Sequence, residues 1–214
     1  MKRTLHPLRS VTIAFAVLAV AGCASLFTQA PRPLFRISGP VDVPTNLPRT
    51  NAQIVIVAPY APEGLELRRI AVVRGANGLD YLADGDWADR TPDMVRAVLV
   101  EAFENSRAVA AVGRDTLDLR ADFEIDGDLR HFEAVYDSPG AANGAPTVWV
   151  ALAVKLVKVP EHKILAQTLI SAREPAAANA TPQIVEAFNR AMGNVAKQVV
   201  VWTLTNPALS TPRR

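Results

Sequence analysis

The sequence predicts a single α/β domain, in which two main helices pack on a mixed β-sheet of about seven strands. Two observations support this prediction. Three long segments in the second half of the chain (121–135, 147–159 and 163–172) are typical of strands that follow one another as an antiparallel meander. Two Thr-Pro pairs, at Thr91 and Thr181, each begin a segment whose apolar residues recur at helical spacing.

Composition and charge limit the class of protein. The chain has 214 residues, of which 50% are hydrophobic, 21% charged and 6% aromatic. This composition excludes a disordered, collagenous or coiled-coil chain. The formal net charge is +2, but a chain cleaved after Gly22 keeps 20 basic residues against 21 acidic ones. We therefore expect no nucleic-acid partner, because binding to phosphates needs a basic surface.

The N-terminus predicts a lipoprotein signal peptide over residues 1–22. A basic start precedes an uncharged apolar run at 11–21, which is shorter than the roughly 20 apolar residues of a membrane-spanning helix. Residues 20–23 read Val-Ala-Gly-Cys and match the bacterial lipobox, with cleavage before Cys23 and a diacylglyceryl group on its thiol. Two or more acyl chains, such as palmitate, anchor a protein stably. The alternatives are a chance cysteine after an ordinary secretory leader and a short membrane anchor.

The residues after the predicted cleavage site favour a tethered protein. Cys23 is the only cysteine, so the chain cannot form an internal disulfide. Ala24 follows it, and in lipoprotein sorting an Asp at this position favours retention in the inner membrane, so Ala24 favours the outer membrane. Residues 23–33 are predicted to form a lipidated tether, which at roughly 3.3 Å per extended residue holds the domain some 30 Å from the bilayer.

The predicted domain covers residues 34–204 and begins with short strands. The first two are expected at 34–37 and 52–57, and the β-branched run in the second is typical of a buried strand. Two apolar runs, 70–74 and 79–82, flank a Gly-Ala-Asn-Gly segment and predict a hairpin.

Each Thr-Pro pair predicts where a helix begins. Thr91 is expected to cap a helix that ends near Ser106, with the proline in its first turn. The pair at Thr181 predicts a longer helix that continues to about Leu204. Residues 205–214 are then expected to form a flexible tail.

An acidic series in the first meander strand has two interpretations. From Asp122 to Glu133 the spacing nearly fits a calcium loop of the EF-hand type. However, Glu124 stands where Asp or Asn is usual, no clear helix flanks the segment, and apolar residues alternate with the acids. We therefore favour a half-buried strand with a solvated face, followed by a loop at 137–146.

The sequence contains no recognisable catalytic motif: we find no Gly-x-Ser-x-Gly elbow, zinc helix, Walker loop or dinucleotide fingerprint. His131 and His162 are the histidines that remain after cleavage, at a predicted strand end and turn, where a lone histidine is more often structural. We expect no enzyme activity, cofactor or metal. Trp87, just before the first main helix, is either a packing anchor or a contact for a lipid or a partner protein.

The order of these features resembles the ABC-type transport auxiliary lipoproteins, which include the PqiC-like intermembrane-transport lipoproteins. The resemblance covers most of residues 20–204. It rests on six features in this order: the lipobox (20–23), the strand after it (34–37), the paired runs (69–74 and 79–82), the Asp-Trp-Ala-Asp segment (86–89), the following helix (92–103) and an Ala-Asp-aromatic strand (121–133).

The resemblance implies a periplasmic protein anchored in the outer membrane of the cell envelope. Such proteins accompany an ABC permease, an ATPase and a mammalian-cell-entry (MCE) domain protein, in systems that move phospholipids or related hydrophobic molecules between two membranes. Some family members are expected to assemble as rings.

The leading hypothesis is therefore a non-enzymatic accessory lipoprotein. Cys23 supplies its anchor, and the folded domain docks the MCE protein. Two alternatives remain open. One is a structural envelope lipoprotein without a transport role. The other is a lipid-binding carrier, which needs an apolar groove or cavity lined by Trp87 or the long helix.

Overall fold

The computed structural model describes residues 31–38, 42–75, 78–115, 121–136, 144–159 and 161–210. Those from Pro33 onward belong to one compact unit. The described strands are β1 (Leu34–Phe35), β2 (Gln53–Ile56), β3 (Arg69–Arg74), β4 (Gly78–Trp87), β5 (Ala111–Arg114), β6 (Phe123–Tyr136), β7 (Thr147–Lys158) and β8 (Lys163–Pro175). The described helices are α1 (Glu63–Glu66), α2 (Thr91–Ser106), α3 (Thr181–Leu204) and a 3₁₀ turn (Pro207–Ser210).

Strand β6 is the centre of the sheet, because it pairs with three other strands, β2, β3 and β7. One edge pairs antiparallel with β7, and β7 in turn pairs antiparallel with β8. The other edge pairs in parallel with β2, where Ile54 lies opposite Phe123, and with β3, where Val72 lies opposite Ala134. The predicted mixed sheet with a long antiparallel meander is therefore confirmed.

The sheet ends in strands of very different length. Beyond β7, the meander ends in β8, which has 13 residues. On the other side of β6, β2 leads to β5 and β3 leads through β4 to β1, and these two end strands have 4 and 2 residues. The chain segment that follows Cys23 thus enters the sheet at β1, on the side of β6 opposite to β8.

Helices α2 and α3 begin and end as the sequence predicts, but the predicted threonine cap is wrong. Thr91 and Thr181 are the first residues inside their helices, and neither helix has a side-chain cap hydrogen bond. Their hydroxyls bind neighbouring elements instead. Thr181 Oγ1 donates to Asp84 Oδ1 of β4 at 2.6 Å, and Thr91 Oγ1 donates to the carbonyl of Leu67 at 3.2 Å. The first bond attaches the start of α3 to the sheet, and the second attaches the start of α2 to the segment between α1 and β3.

A β-bulge in β6 changes which residues face the core. The register between β6 and β7 shifts between Leu129 and His131, which leaves Arg130 as the extra residue. Before the bulge the odd-numbered residues of β6 are buried, and after it Phe132 and the even-numbered residues that follow are buried. His131 therefore lies on the face of the meander that is turned away from the core, which we call the open face.

Three aromatic rings hold the centre of the core. Trp87 at the end of β4 has no exposed surface and contacts Phe132 of β6 and Phe188 of α3, with ring centroids 5.9 and 5.1 Å away. Both contacts are edge-on, at interplanar angles of 66° and 88°, the arrangement that aromatic quadrupoles favour. The cluster joins β4 and β6 to the long helix.

Four parts of the chain differ from the prediction or lie outside the described residues. The sequence did not predict α1 and β5, which have four residues each. The predicted flexible tail includes Pro207–Ser210, which forms a 3₁₀ turn because Leu209 is buried against the core. Most of the predicted loop, residues 137–143, lies outside the described residues.

Candidate interaction surface

The predicted lipid-attachment residue lies outside the described residues. Cys23 belongs, with the predicted signal peptide 1–22, to the part of the chain before Pro31 where the description begins. Lipidation at Cys23 therefore stays a prediction. In the sequence, the predicted tether that begins at Cys23 leads directly into β1, which starts at Leu34.

Trp87, the second predicted site residue, lies in the core. Its side chain has no exposed surface, as the packing interpretation requires. Its backbone N–H donates to the carbonyl of Arg68 at 2.7 Å, and the indole Nε1 has no hydrogen-bond partner. A contact between Trp87 and a lipid or partner stays a prediction, and it would require the indole to leave the aromatic cluster.

The open face carries a stack that uses one side chain from each strand of the meander. The imidazole of His131 on β6 lies parallel to the indole of Trp149 on β7, with centroids 3.3 Å apart at an interplanar angle of 12°. The guanidinium carbon of Arg173 on β8 lies 3.9 Å from the centroid of Trp149. Such a cation–π contact contributes about 0.5–2 kcal/mol.

A buried carboxylate holds this stack in place. Glu133 lies directly opposite Trp149 in the β6–β7 register, and its side chain is only 8% exposed. One carboxylate oxygen lies 2.6 Å from Nδ1 of His131, and the other accepts the backbone N–H of Phe132 at 2.6 Å. A buried carboxylate is tolerated only when it is hydrogen-bonded, so these contacts account for its burial. We call His131, Glu133, Trp149 and Arg173 the open-face cluster.

Charged and apolar side chains surround the cluster along the same face. Asp128, on the other side of the bulge from His131, forms ion pairs with Arg130 at 3.0 Å and with Lys155 at 3.6 Å. The second of these ion pairs links β6 to β7. On β8, Leu169 is 65% exposed. A central Trp–Arg pair with a polar periphery is the composition that protein–protein interfaces favour. Because the cluster is already ordered, a partner would lose little side-chain freedom on binding it.

Two surface pockets of the described residues bear on the lipid-carrier hypothesis. One lies beside the start of α2, has a volume of about 420 Å³, and is lined by Arg36, Asp93 and Arg96 among others. The second lies along α3, has a volume of about 600 Å³, and includes Glu174 and Lys197 in its lining. Charged residues make up most of the lining of the first pocket, and polar and charged residues line the second, although more of the surface of the second is apolar than polar. An acyl chain needs an apolar lining.

Among the residues that the structure describes, Tyr136 and Glu161 have shifted pKa values. Burial raises the pKa of Tyr136 above its ordinary value of 10.0, and the nearby Arg74 opposes part of that rise. The Tyr136 hydroxyl donates to Asn179 Oδ1 at 2.6 Å, which suits a phenol that stays protonated. At the turn between β7 and β8, the hydrogen bond from Lys158, at 2.9 Å, lowers the pKa of the exposed Glu161. Neither group belongs to the open-face cluster.

Sequence reasoning missed the open-face cluster as a unit. It considered His131 only as a lone histidine and did not single out Trp149 or Arg173. The available signal was limited to Trp149, which occupies a non-core position of the predicted strand 147–159. Simple alternation from Phe123 places His131 and Glu133 on the core side of β6, and Arg173 follows the last residue of the predicted strand 163–172. That signal becomes specific only when the strand register is known, because register decides which outward residues become neighbours.

Within the described ranges, no three His, Cys, Asp or Glu side chains come together as a metal-binding group. No helix in the same part of the chain is both long and apolar enough to span a bilayer.

Comparison with known proteins gives one family and several similar chains. A model of the family described as "ABC-type transport auxiliary lipoprotein component" matches residues 35–200. An uncharacterized protein of Bradyrhizobium diazoefficiens is 29% identical over 155 residues, which are 72% of this chain and 40% of the relative. The chain thus spans about two fifths of the length of that curated relative.

Two crystal structures share the fold. A DUF330 protein from Xanthomonas campestris is 25% identical and has a TM-score of 0.76, and the match covers 83% of this chain and 97% of that chain. An uncharacterized protein with a TM-score of 0.59 is 10% identical, with 80% of this chain and 97% of that chain covered. At that identity the second similarity concerns the fold alone.

Proposed function

Because this chain belongs to the family of ABC-type transport auxiliary lipoprotein components, we propose that it is the outer-membrane-anchored accessory subunit of an ABC transport system that contains an MCE-domain protein. The match over residues 35–200 is the observation that carries this proposal. It covers the whole meander and most of α3, so the accessory role concerns the folded domain itself. An auxiliary lipoprotein has a non-catalytic role, and the energy for transport comes from the ATPase of the system.

The proposed anchor and the proposed docking surface lie in different parts of the protein. Cys23 carries the acyl chains, and the tether leads into β1. The open-face cluster, on β6, β7 and β8, docks the MCE-domain protein in the periplasm. A Trp–Arg pair at the centre of this face supports such a role, since these residue types dominate the energetic centres of interfaces.

Two alternatives make different predictions. A structural envelope lipoprotein shares the anchor but has no transport partner. A lipid carrier needs an apolar cavity, and the charged lining of the pocket beside α2 does not favour an acyl chain there. Assembly as a ring is compatible with docking, because a ring would present one open-face cluster per subunit.

The anchor is tested by changing Cys23 to Ala in the full chain. We expect the natural protein to incorporate a clickable palmitate analogue and to sediment with the outer membrane, because several acyl chains hold it there. The Cys23→Ala protein is expected to lose the label completely. Thr28→Ala, a change within the same tether, is the matched control and should keep it. A natural protein with a free thiol at Cys23 in the soluble periplasmic fraction would contradict the anchor.

The docking surface is tested by changing Trp149 to Ala. We expect affinity for the MCE-domain protein of the same genome, measured with the lipoprotein in detergent, to fall about tenfold or more, as for a central interface tryptophan. Tyr60→Ala removes an aromatic ring that is 70% exposed outside the meander, and it should leave affinity unchanged. If the Trp149→Ala protein bound the MCE-domain protein as tightly as the Tyr60→Ala protein does, the open face would be excluded as the docking surface. If the natural protein did not bind it at all, the proposal of an MCE-domain partner would be contradicted.

A further inference from the structure

Both faces of the Trp149 indole are covered within the open-face cluster. The centroid of the His131 imidazole and the Cζ atom of Arg173 lie 3.3 and 3.9 Å from the indole centroid. Two groups this close to one centroid would overlap if they shared a face of the ring. They therefore lie on opposite faces, as expected for side chains of β6 and β8, which pair with opposite edges of β7. A partner cannot stack on this indole, and it meets the rim of the ring together with the groups that flank it.

Arg173 is the exposed cation of this cluster. Among the described residues, it contacts the ring of Trp149 and forms no ion pair. An indole ring offers no lone-pair acceptor, so the N–H donors of the guanidinium stay available for another group. The half-buried Trp149 adds its own Nε1–H, which also has no acceptor among the described residues. The cluster thus presents hydrogen-bond donors to a partner.

The carboxylates near Arg173 are already engaged. Glu133 is almost fully buried and makes its hydrogen bonds to groups of β6. Glu174, the next residue along β8, is bound by two side chains of α3. Asp128, farther along the open face, is bound by two cations. The cation of the cluster is therefore left to pair with a carboxylate from outside the described residues.

We propose that the open-face cluster binds a carboxylate side chain of the protein that docks on it, held by the guanidinium of Arg173 at the rim of Trp149. A planar guanidinium and a carboxylate form two parallel, charge-assisted hydrogen bonds, and an arginine already stacked on a ring loses little freedom in forming them. The inference rests on the proposed docking role of this face. It adds the chemistry of the partner, which is an Asp or Glu among apolar residues that cover the exposed Leu169.

The surroundings of Arg173 favour a protein over a lipid headgroup as the source of the acceptor. The phosphate of a headgroup could accept the same hydrogen bonds. However, binding to an anionic membrane surface takes a cluster of cations, and residues 164–172, which precede Arg173 on β8, carry no charge. The predicted tether also enters the sheet at β1, on the other side of β6 from β8. One specific ion pair beside an apolar side chain is typical of a protein–protein interface.

Charge reversal at Arg173 tests the proposal in the full-length protein in detergent. We expect Arg173→Glu to weaken binding to the MCE-domain protein of the same genome about tenfold or more, because two carboxylates would then face each other. Arg173→Lys keeps the charge but loses the planar fork, so its affinity should lie between those of the natural protein and Arg173→Glu. Because the side chain is exposed, both variants should keep the thermal midpoint of the natural protein.

Lys163→Glu is the matched control for the charge. It makes the same change on the same strand, at an exposed residue roughly 33 Å from Arg173. At physiological salt the Debye length is about 8 Å, so this variant should bind within about twofold of the natural protein. Equal weakening by both reversals would overturn the proposal. So would an unchanged affinity of Arg173→Glu where Trp149→Ala weakens binding, and docking at the open face would then stand without the carboxylate.

The preference for a carboxylate can also be measured without the MCE-domain protein. N-acetyl-aspartate amide is titrated into the natural protein at constant ionic strength, and NMR follows the indole N–H resonance of Trp149, assigned by its loss in Trp149→Phe. We expect a saturable shift with the aspartate, and none with N-acetyl-asparagine amide or in Arg173→Glu. Equal shifts with both compounds, or none with the aspartate, would refute the site whatever the partner is. A shift with glycerol phosphate alone would assign it to a lipid headgroup and overturn the proposal.

Discussion

Replacing Trp87 with Ala is expected to lower the free energy of unfolding by about 3–5 kcal/mol, the range for deleting a large buried aromatic side chain. The indole has no exposed surface, and its removal leaves a cavity between Phe132 and Phe188. These two rings cannot close the cavity, because strand pairing fixes Phe132 and helix packing fixes Phe188. The measurement is urea unfolding followed by circular dichroism, with the midpoint and the slope fitted separately.

Two other substitutions make this prediction specific. Trp87→Phe should lose much less stability, since the phenyl ring keeps most of the contacts and removes an indole N–H that has no partner. Tyr60→Ala, at a 70% exposed aromatic, should change stability by less than about 0.5 kcal/mol. If Trp87→Ala left stability unchanged but abolished binding to a membrane or an MCE-domain protein, the indole would have to leave the core in the working protein.

The elements that the sequence predicted well are the long ones. α3 begins at the predicted Thr-Pro pair and ends at the predicted Leu204, because a 24-residue apolar periodicity after such a pair has no competing interpretation. α1 and β5, with four residues each, are too short to show a period, and they form because neighbouring elements pack on them. The parallel pairing of β2 and β3 with one edge of β6 is a long-range property that local patterns do not contain.

The open-face cluster was beyond sequence reasoning for a related reason. Simple alternation from Phe123 onward places His131 on the core side of β6 with the other odd-numbered residues. The bulge at Arg130 reverses that assignment, so that Phe132 enters the core and His131 turns to the open face beside Trp149. A single extra residue thus decides both the core and the candidate interaction surface, and no local propensity marks its position.

Replacing Glu133 with Ala is expected to lower the free energy of unfolding by about 2 kcal/mol. The substitution removes the acceptor of the Phe132 N–H and the partner of His131 Nδ1, both at 2.6 Å. Buried polar groups that lose their partners cost about 1–3 kcal/mol, because water cannot replace the lost bonds at a site where Glu133 was almost fully covered. Glu133→Gln should cost less, since the amide keeps one acceptor oxygen of nearly the same shape.

The coupling energy between Glu133 and His131 shows whether Glu133 stabilises the protein through its hydrogen bond to His131 or only through packing. A double-mutant cycle with Glu133→Ala and His131→Ala should give a coupling energy of about 0.5–3 kcal/mol, because the two side chains share one hydrogen bond. Glu124→Ala, at another acidic residue of the same strand and face, is the matched control and should change stability by no more than about 0.5 kcal/mol. Additive effects in the cycle, or an equal loss at Glu124, would mean that the carboxylate does not hold the stack. The affinity for the partner would then have to depend on Trp149 and Arg173 alone.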